Sequence, residues 1–561
     1  MSEGVRLLGP DGQALPPRRA RSAPAQRGPS ALNGGRGAWG GAPYDAADIY
    51  GQHMAAWTPG LWSPDGELNP YRDRIVSRVR DMVRNDGWAS GAVTRILDNA
   101  IGPNLRPIAK PDYKYLARYT GNPAFDAVWA KEYARAADAH WRIWANALGK
   151  WCDAARNQTF AQLMRTAFRH KLVDGDALAV LKWLTARVAP GRARYCTAVQ
   201  LVDPDRLSNP QQAFDQNVMR GGVEIEEDTG AAIAYHIRKA HAGDWFSAAA
   251  SLTWERVERE TAWGRPIVVH DYEGDRAATH RGGAGIFGPV LQRLKMLVKY
   301  DGNELDAAII NAIFGAYIES PFDATLVRDA LDDADGGLEQ INGYQGARED
   351  FHRDSSLLLG GVRVPIMFPG EKINTVASTR PNNNFGAFEG AMLRNVATGL
   401  GLSAQQVSND WSDVNYSSAR AALLEAWKTM TRRRHDFSHG FAGPIRSAWL
   451  EEATVVDDFP LPRGVVPDTF AECRDAYARC RWLGPAMGWI NPVDERTGAV
   501  IGMDAGFQTL EDVCGEQGLD YEEVLEQRAH EIKLFDDLGI PRPEWSGQVA
   551  VARAAQKPEA V

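Results

Sequence analysis

The sequence is poor in cysteine, with five in 561 residues: Cys152, Cys196, Cys473, Cys480 and Cys514. An odd and sparse set, with no apolar signal segment at the N-terminus, predicts reduced thiols in a cytosolic setting and not a disulfide framework. Cys473 and Cys480 would share one face if their segment were helical, but zinc sites use closer pairs and more ligands. We therefore predict no bound metal.

Long hydrophobic runs and a surplus of basic charge are also missing. The longest apolar stretch, Ala307–Ile318, is interrupted by Asn311 and falls short of the roughly 20 residues that cross a bilayer, so we predict no membrane span. The net charge is −9. Proteins that grip nucleic acid usually carry a basic stripe. If this chain surrounds DNA, we expect the DNA to slide past it.

No catalytic signature is complete. The stretch Gly283–Gly288 matches a dinucleotide-binding glycine pattern, which requires a strand directly before it. The preceding predicted strand ends near Tyr272, about ten residues earlier, so we interpret the glycines as a flexible start of a helix. His435 and His439 are four residues apart, a spacing more often found on a polar helix face than in a metal site. We predict no catalytic residues and no cofactor.

Apolar residues recur at helical spacing twice after residue 70. The first stripe is Ile75, Val76, Val79, Met82 and Val83; the second is Val93, Ile96, Leu97, Ala100 and Ile101. The other faces of the first helix carry Arg72, Arg74, Arg78, Arg80 and Arg84. Such arginines predict a solvated or salt-bridged face, or an interface in an oligomer.

Between residues 176 and 272 the pattern changes from helix to strand. Thr197–Asp203 and Pro266–Tyr272 are predicted strands, and Val223–Ile225 with Ala232–Ile237 predicts a hairpin around a turn at Asp228–Gly230. Together with the helices, these strands indicate a large, mixed α+β and helix-rich protein.

The most informative stretch reads as a helix, a polar loop and a second long helix. Apolar residues spaced three or four apart form the first helix: Phe385, Phe388, Met392, Val396 and Leu400. The loop, Ser403–Ser417, either lines a polar passage or covers a site. Ser417 or Ser418 is the predicted cap of the second helix, which Gly440, Gly443 and Pro444 should kink or break.

This stretch resembles the signature region of lambda-family phage portal proteins. The matching residues are Asn384, Phe385, Leu393–Ser403, Ser408–Asp410 and Asn415–Arg420. Further matching blocks occur in the same order at Arg80–Val93, Phe160–Leu181, Val223–Ile237 and Arg481–Asp494. The resemblance covers roughly residues 70–540, and its separated motifs make it specific.

The resemblance implies a portal fold with a wing, a two-helix stem, a clip and a helical crown, assembled as a ring of usually twelve subunits. It implies this order: a flexible arm (1–69), wing (70–286), first stem helix (287–317), clip (318–383), second stem helix (384–402), tunnel loop (403–417), tunnel helix and return to the wing (418–469), crown (470–545) and a disordered tail (546–561). The arm is rich in glycine and proline, which disfavour regular structure, and it has six arginines in its first 40 residues. It is either a solvated tail or a contact for capsid, scaffold or DNA.

Candidate DNA-channel residues follow from the same resemblance. The loop supplies Asn409, Asp410, Trp411, Asp413 and Asn415, and the next helix supplies Lys428, Arg432 and Arg433. A ring would turn the two aspartates into belts of negative charge that repel phosphates. The basic residues are either a solvated face or a source of transient, salt-sensitive phosphate contacts.

The resemblance further implies where the protein acts and with what. The ring would sit at one capsid vertex of the virion, after assembly in the host cytoplasm, and double-stranded DNA would enter and leave through it without sequence recognition. Terminase, major capsid or scaffold protein and head–tail connector proteins are the expected partners. Two other classes stay open on the residues alone: a cytosolic interaction scaffold without a DNA channel, and a hydrolase with an unrecognised site.

Overall fold

The computed structural model describes residues 56–283, 285–313, 317–319, 343, 346–351, 353, 356–359, 362–365, 372–374, 385–412, 414–457, 459–466, 469–486 and 492–542. Most of the predicted arm, much of the predicted clip, the tail and Asp413 lie outside these residues. The chain divides into two units, residues 1–62 and 63–561, and every element named below belongs to the second.

The two N-terminal helices bury the predicted stripes. Helix α1 is Pro64–Asn85 and α2 is Gly87–Ala100; Ser63 caps the first, and the side chain of Asp86 caps the second at Ala89 N, 2.7 Å away. Both predicted stripes are buried, except that Ile75 is only partly covered, which confirms the helical periodicity. Burial of these apolar faces holds the pair in the main core.

Helices α3 (Tyr113–Thr120), α4 (Ala127–Ala145) and α5 (Phe160–Asp174) complete the N-terminal helical layer. The inner face of α4 is aromatic, with Trp129, Tyr133, Trp141 and Trp144 all buried. Trp141 and Trp144 pack on Trp449, with ring centroids 5.0 and 5.8 Å apart. Aromatic side chains bury the largest area per residue, so this cluster ties α4 to a distant part of the chain.

Two antiparallel sheets follow. The first has the order β3-β2-β8, from β2 (Asp176–Trp183), β3 (Thr197–Val202) and β8 (Val268–Tyr272). The second has the order β4-β5-β6-β7, from β4 (Met219–Arg220), β5 (Val223–Ile225), β6 (Ala232–Arg238) and β7 (Trp254–Glu258). The predicted strands and hairpin are confirmed, with Val223 opposite Tyr235.

Strand β2 is buried on both faces and separates two cores. Ala177, Ala179 and Leu181 face the main helical core, whereas Leu178 and Val180 face a smaller core between the sheets. Side chains alternate across a strand, so one strand serves both cores. The mixed, helix-rich α+β class is confirmed.

The glycine-rich stretch before the central helices is closely packed, which corrects its interpretation as a flexible start of a helix. Within the stretch, Gly285 has φ +59°, and a Cβ on it would lie 2.2 Å from the Leu172 carbonyl oxygen. Just before the stretch, a Cβ on Gly282 would lie 1.9 Å from the carbonyl oxygen of Gly175. Gly175 also has φ +88°, a conformation that favours glycine. The glycines are therefore required where two backbone segments touch.

Two arginines of α1 belong to a buried ionic network. Arg72 is 3% exposed and lies 2.8 Å from Asp176, and Arg80 pairs with Asp174 at 2.7 Å. Burial opposes ionisation of Asp176, but the charges of Arg281 and Arg72 and a hydrogen bond with His270 hold its pKa far below the usual value. The salt-bridged alternative is thus correct for Arg72 and Arg80.

After the short helix α6 (Ala248–Ser251), the central helices are α7 (Leu291–Ile313), α8 (Phe385–Leu400), α9 (Ala404–Ser408), α10 (Tyr416–Phe437) and α11 (Gly443–Val456). Between α7 and α8, β9 (Tyr317–Glu319) pairs with β12 (Lys372–Asn374), and β10 (Ser356–Leu359) pairs with β11 (Val362–Pro365). A single π-helical turn, Ser438–Ala442, joins α10 to α11. The chain does not leave the helix at Gly440, Gly443 or Pro444, so the predicted break is absent, but a π turn interrupts the α-helical run where a kink or break was predicted.

The C-terminal part contains α12 (Thr469–Glu472), α13 (Arg474–Ala478), β13 (Cys480–Leu483), α14 (Pro492–Asp504), α15 (Leu510–Glu516) and α16 (Tyr521–Asp537). Strand β13 pairs antiparallel with β1 (Arg106–Ala109). Cys480 is therefore in a strand and shares no helix face with Cys473. Within the described residues no helix has the length and apolar character of a membrane span.

Candidate channel segment

The chain turns sharply where α8 ends. Gly401 has φ +71°; its amide donates to the Thr398 carbonyl at 3.2 Å, and the Leu402 amide donates to the Ala397 carbonyl at 3.0 Å. These two bonds form a Schellman motif, which ends a helix at a left-handed residue. Leu402 is buried, so the turn directs the next residues back onto the protein.

The first part of the predicted loop is helical. Ser403 and Gln406 form a capping box that starts α9, and Val407 is buried. Asn409 ends α9 with φ 56°, a conformation that asparagine tolerates better than most residues. Its Oδ1 accepts a hydrogen bond from Arg95 of α2, 3.2 Å away. Asn409 thus holds this end of the loop to the fold.

A local turn follows at Asp410. Its Oδ1 accepts from the Ser412 amide at 3.0 Å and from the Ser412 hydroxyl at 2.6 Å. These hydrogen bonds lower the pKa of Asp410, so the exposed carboxylate carries its charge throughout the neutral range. Trp411 is 36% exposed beside it. The described residues of the loop therefore present the ionised Asp410 carboxylate and the partly exposed ring of Trp411.

Asn415 caps α10, where the sequence predicted Ser417 or Ser418. Its Oδ1 accepts from the Ser418 amide at 2.9 Å and from the hydroxyls of Ser417 and Ser418 at 3.0 and 2.8 Å. The prediction was shifted because three residues within four positions, Asn415, Ser417 and Ser418, are all good caps. Asn415 holds the far end of the loop, as Asn409 holds the near end.

The basic residues of α10 separate into two groups. Lys428 is exposed and lies 3.1 Å from Glu425, and Arg432 lies 3.2 Å from Glu273 and 3.3 Å from Asp436. Ion pairs between side chains this exposed to solvent contribute little binding energy. These two cations therefore remain available to exchange one anionic partner for another.

The next two arginines point into the fold. Arg433 donates to the Leu400 carbonyl at 3.0 Å, at the end of α8. Arg434 donates to the carbonyls of Ala100 and Asn99 at the end of α2, at 2.7 and 3.0 Å. Burial lowers the pKa of both, that of Arg434 to about 10. Cations at helix C-termini satisfy free carbonyls, so these arginines clamp α8 and α2 to α10.

Sequence reasoning missed several residues that shape the segment. Gly401 after an apolar helical stripe is a recognised stop signal and could have been found. No sequence pattern pointed to Arg95, because its hydrogen-bond partner Asn409 is 314 positions away. The inward direction of Arg433 and Arg434 was equally hidden, since it depends on where α8 and α2 end in space.

A cleft of about 810 Å³ lies beside α10 and carries both signs of charge. Its charged lining includes Lys171, Asp271, Glu273, Arg432 and Asp436. Lys171 and Asp271 are paired at 2.7 Å. Among the residues that the structure describes, no three His, Cys, Asp or Glu side chains gather as a metal site. Acidic and basic side chains are mixed in this lining, so its charge does not favour binding of an anion.

Comparisons with known proteins identify the family. A sequence profile described as "Phage portal protein, lambda family" matches residues 50–434. The "Portal protein" of Escherichia phage N15 is 29% identical over 542 residues, 96% of this chain and 95% of that protein. "Portal protein B" of Escherichia phage lambda is 29% identical over 499 residues, 89% of this chain and 90% of that protein.

Among solved structures, a chain of the "Neck of empty GTA particle computed with C6 symmetry" is 13% identical with a TM-score of 0.35, over 74% of this chain and 95% of that chain. The resemblance found in the sequence is confirmed by the profile and the two phage proteins. Because the profile spans more than half of the chain and includes the whole segment from α8 to Arg433, the chain belongs to the lambda family of phage portal proteins.

Proposed function

We propose that twelve copies of this chain assemble into a ring at one vertex of the capsid, and that double-stranded DNA is packaged and ejected through its centre. The observation that carries the proposal is the family profile, which covers residues 50–434 and therefore the channel segment. The family is structural, and we propose no catalytic activity.

In this proposal the loop between Asn409 and Asn415 faces the DNA. Its two ends are held by Arg95 and by the cap of α10, which leaves Asp410 and Trp411 at the surface. A ring repeats each of these side chains once per subunit. A belt of ionised Asp410 carboxylates would repel phosphates, while Trp411 would touch the DNA backbone without reading its sequence. Asp413 is proposed to add to the negative belt.

Lys428 and Arg432 are proposed to make transient phosphate contacts. Both are paired with exposed carboxylates, so a passing phosphate replaces one weak ion pair with another. Arg433 was predicted to share this role, but its bond to the Leu400 carbonyl supports a positioning role instead. Weak and exchangeable contacts suit a polymer that must move through the ring.

The wider assignments rest on the family and stay proposals. Helices α7 and α8 would form the stem, the segment between them the clip, and the helices after residue 470 the crown. The clip would dock terminase during packaging and head–tail connector proteins afterwards. Major capsid or scaffold protein would be a further partner, in the host cytoplasm during assembly and at the portal vertex of the virion.

The first test is the oligomeric state. Negative-stain electron microscopy with native mass measurement should give closed rings whose central hole is at least as wide as a DNA duplex. A compact dimer with a filled centre would contradict the ring. That result would favour a scaffold without a channel, or a hydrolase if turnover were also found.

The second test addresses the loop. Trp411→Ala should leave rings intact and reduce packaging or retention of DNA, because it removes the half-exposed aromatic contact of every subunit. Phe246→Ala is the matched control: Phe246 is fully exposed and lies between β6 and β7, away from the loop. Equal packaging by both variants would show that the loop does not act on DNA.

A further inference from the structure

The C-terminal helix α16 lies against a row of cations. We call Arg106 of β1 with Lys131, Arg135 and Arg142 of α4 the basic face. Glu523 of α16 accepts two hydrogen bonds from Arg106, at 2.8 and 3.1 Å, and one from Arg142 at 2.9 Å.

The neighbouring carboxylates of α16 repeat this pattern along the helix. Glu526 lies 2.7 Å from Arg135, and Glu522 lies 3.6 Å from Arg135 and 3.8 Å from Lys131. Residues three and four apart share one side of a helix. The first two turns of α16 therefore carry carboxylates on one side, and these carboxylates meet the basic face.

Apolar packing contributes little to this contact. No residue of α16 is buried, and Leu525 and Leu534 are 45% and 48% exposed. A cleft of about 900 Å³ remains between α16 and α4, lined by Ala130 and Ala134 as well as by the charged rows. Besides the ion pairs, Lys110 lies over the Tyr521 ring, 5.3 Å from its centroid, so the contact of α16 with this surface is made mainly by charged groups.

Strand β13, which precedes α14, α15 and α16 in the chain, is held differently. Strand β13 is hydrogen-bonded to β1 over four residue pairs, from Arg106↔Leu483 to Ala109↔Cys480. Backbone ladders and apolar burial are insensitive to moderate salt, whereas ion pairs between exposed groups are screened within about 8 Å at physiological ionic strength. The attachment of α16 should therefore be the salt-sensitive part of this region.

We propose that the basic face is a docking surface for a carboxylate-rich helix, that α16 occupies it reversibly, and that salt releases α16 while α4 and β1 stay folded. Glu523 is the central contact, because it joins cations from two different elements. The proposal is independent of DNA passage and of the number of subunits in the ring.

Hydrogen exchange of the full-length protein, followed by mass spectrometry, tests this directly. Between about 50 mM and about 500 mM NaCl, a range that shortens the Debye length roughly threefold, exchange in α16 should rise about tenfold while exchange in α4 stays constant. Glu523→Gln should produce a similar rise at low salt. Arg142→Gln should act in the same direction, since it removes one of the same ion pairs.

Glu531→Gln is the matched control. It removes the same charge from the same helix, but Glu531 accepts its hydrogen bond from Gln527 of α16 and not from the basic face. Equal exchange in Glu523→Gln and Glu531→Gln would overturn the proposal. A salt-independent α16, or loss of protection in α4 together with α16, would overturn it as well.

Discussion

Replacing Arg433 by alanine should loosen the junction between α8 and α10. The variant loses the 3.0 Å bond from the guanidinium to the Leu400 carbonyl. A hydrogen bond from a charged donor contributes about 1.5–3 kcal/mol, and a cation at a helix C-terminus adds about 0.3–1 kcal/mol. Burial of the guanidinium, which lowers its pKa, offsets part of this gain. We therefore expect a net loss of about 1–2 kcal/mol.

Local hydrogen exchange measures this loss where it occurs. A change of about 1–2 kcal/mol corresponds to roughly 5- to 30-fold faster exchange at the end of α8 and in α9. Arg432→Ala is the adjacent control, and its exposed ion pairs predict a change below about 0.5 kcal/mol. Unchanged exchange in Arg433→Ala, combined with impaired DNA retention, would refute the clamp and return Arg433 to the DNA-contacting set.

Three further variants probe the fold around the segment. Asp176→Asn leaves two buried arginines without their counter-charge and should cost about 3–5 kcal/mol in urea unfolding at pH 7. Because its folded pKa lies below the unfolded value, the stability that Asp176 contributes is present above about pH 4 and lost as the pH falls further; a variant with the wild-type acid profile would contradict this. Asn415→Ala should lower stability by about 1 kcal/mol and Ser417→Ala by much less, and equal effects would refute the cap assignment. Gly401→Ala should cost about 1 kcal/mol or more from its φ of +71°, as a lowered melting temperature would show.

Local patterns in the sequence were reliable guides to the fold. The stripes of α1 and α2 and the β5–β6 hairpin all depend on residues within a few positions of one another. Such signals are set by the periods of helix and strand. They predicted the mixed, helix-rich class without any knowledge of the tertiary contacts.

Contacts between residues that are far apart in the sequence could not be predicted from it. Arg72 and Asp176 are 104 residues apart, and no spacing rule predicts that they meet in the core. For the same reason, the cations of α10 were treated as one face. The tertiary positions of α2 and α8 divide them, with Lys428 and Arg432 outside and Arg433 inside. The loop residues were identified from the family resemblance, whereas their turns and caps emerged from the structure.

The π-helical turn at Ser438–Ala442 sets the direction in which α10 faces. An α-helix rotates by about 100° per residue, and a π turn accommodates one extra residue in an otherwise α-helical run. Helix α11 is fixed by the buried Trp449 and Leu450, so the orientation of α10 about its own axis depends on this turn. If the same residues were wound as a continuous α-helix, Lys428 and Arg432 would rotate by roughly a quarter of a revolution. Deleting one residue here would instead restore a continuous α-helix and leave their direction nearly unchanged. The π turn thus keeps the outward side of α10 in place although the chain has one more residue than the α-helical path needs.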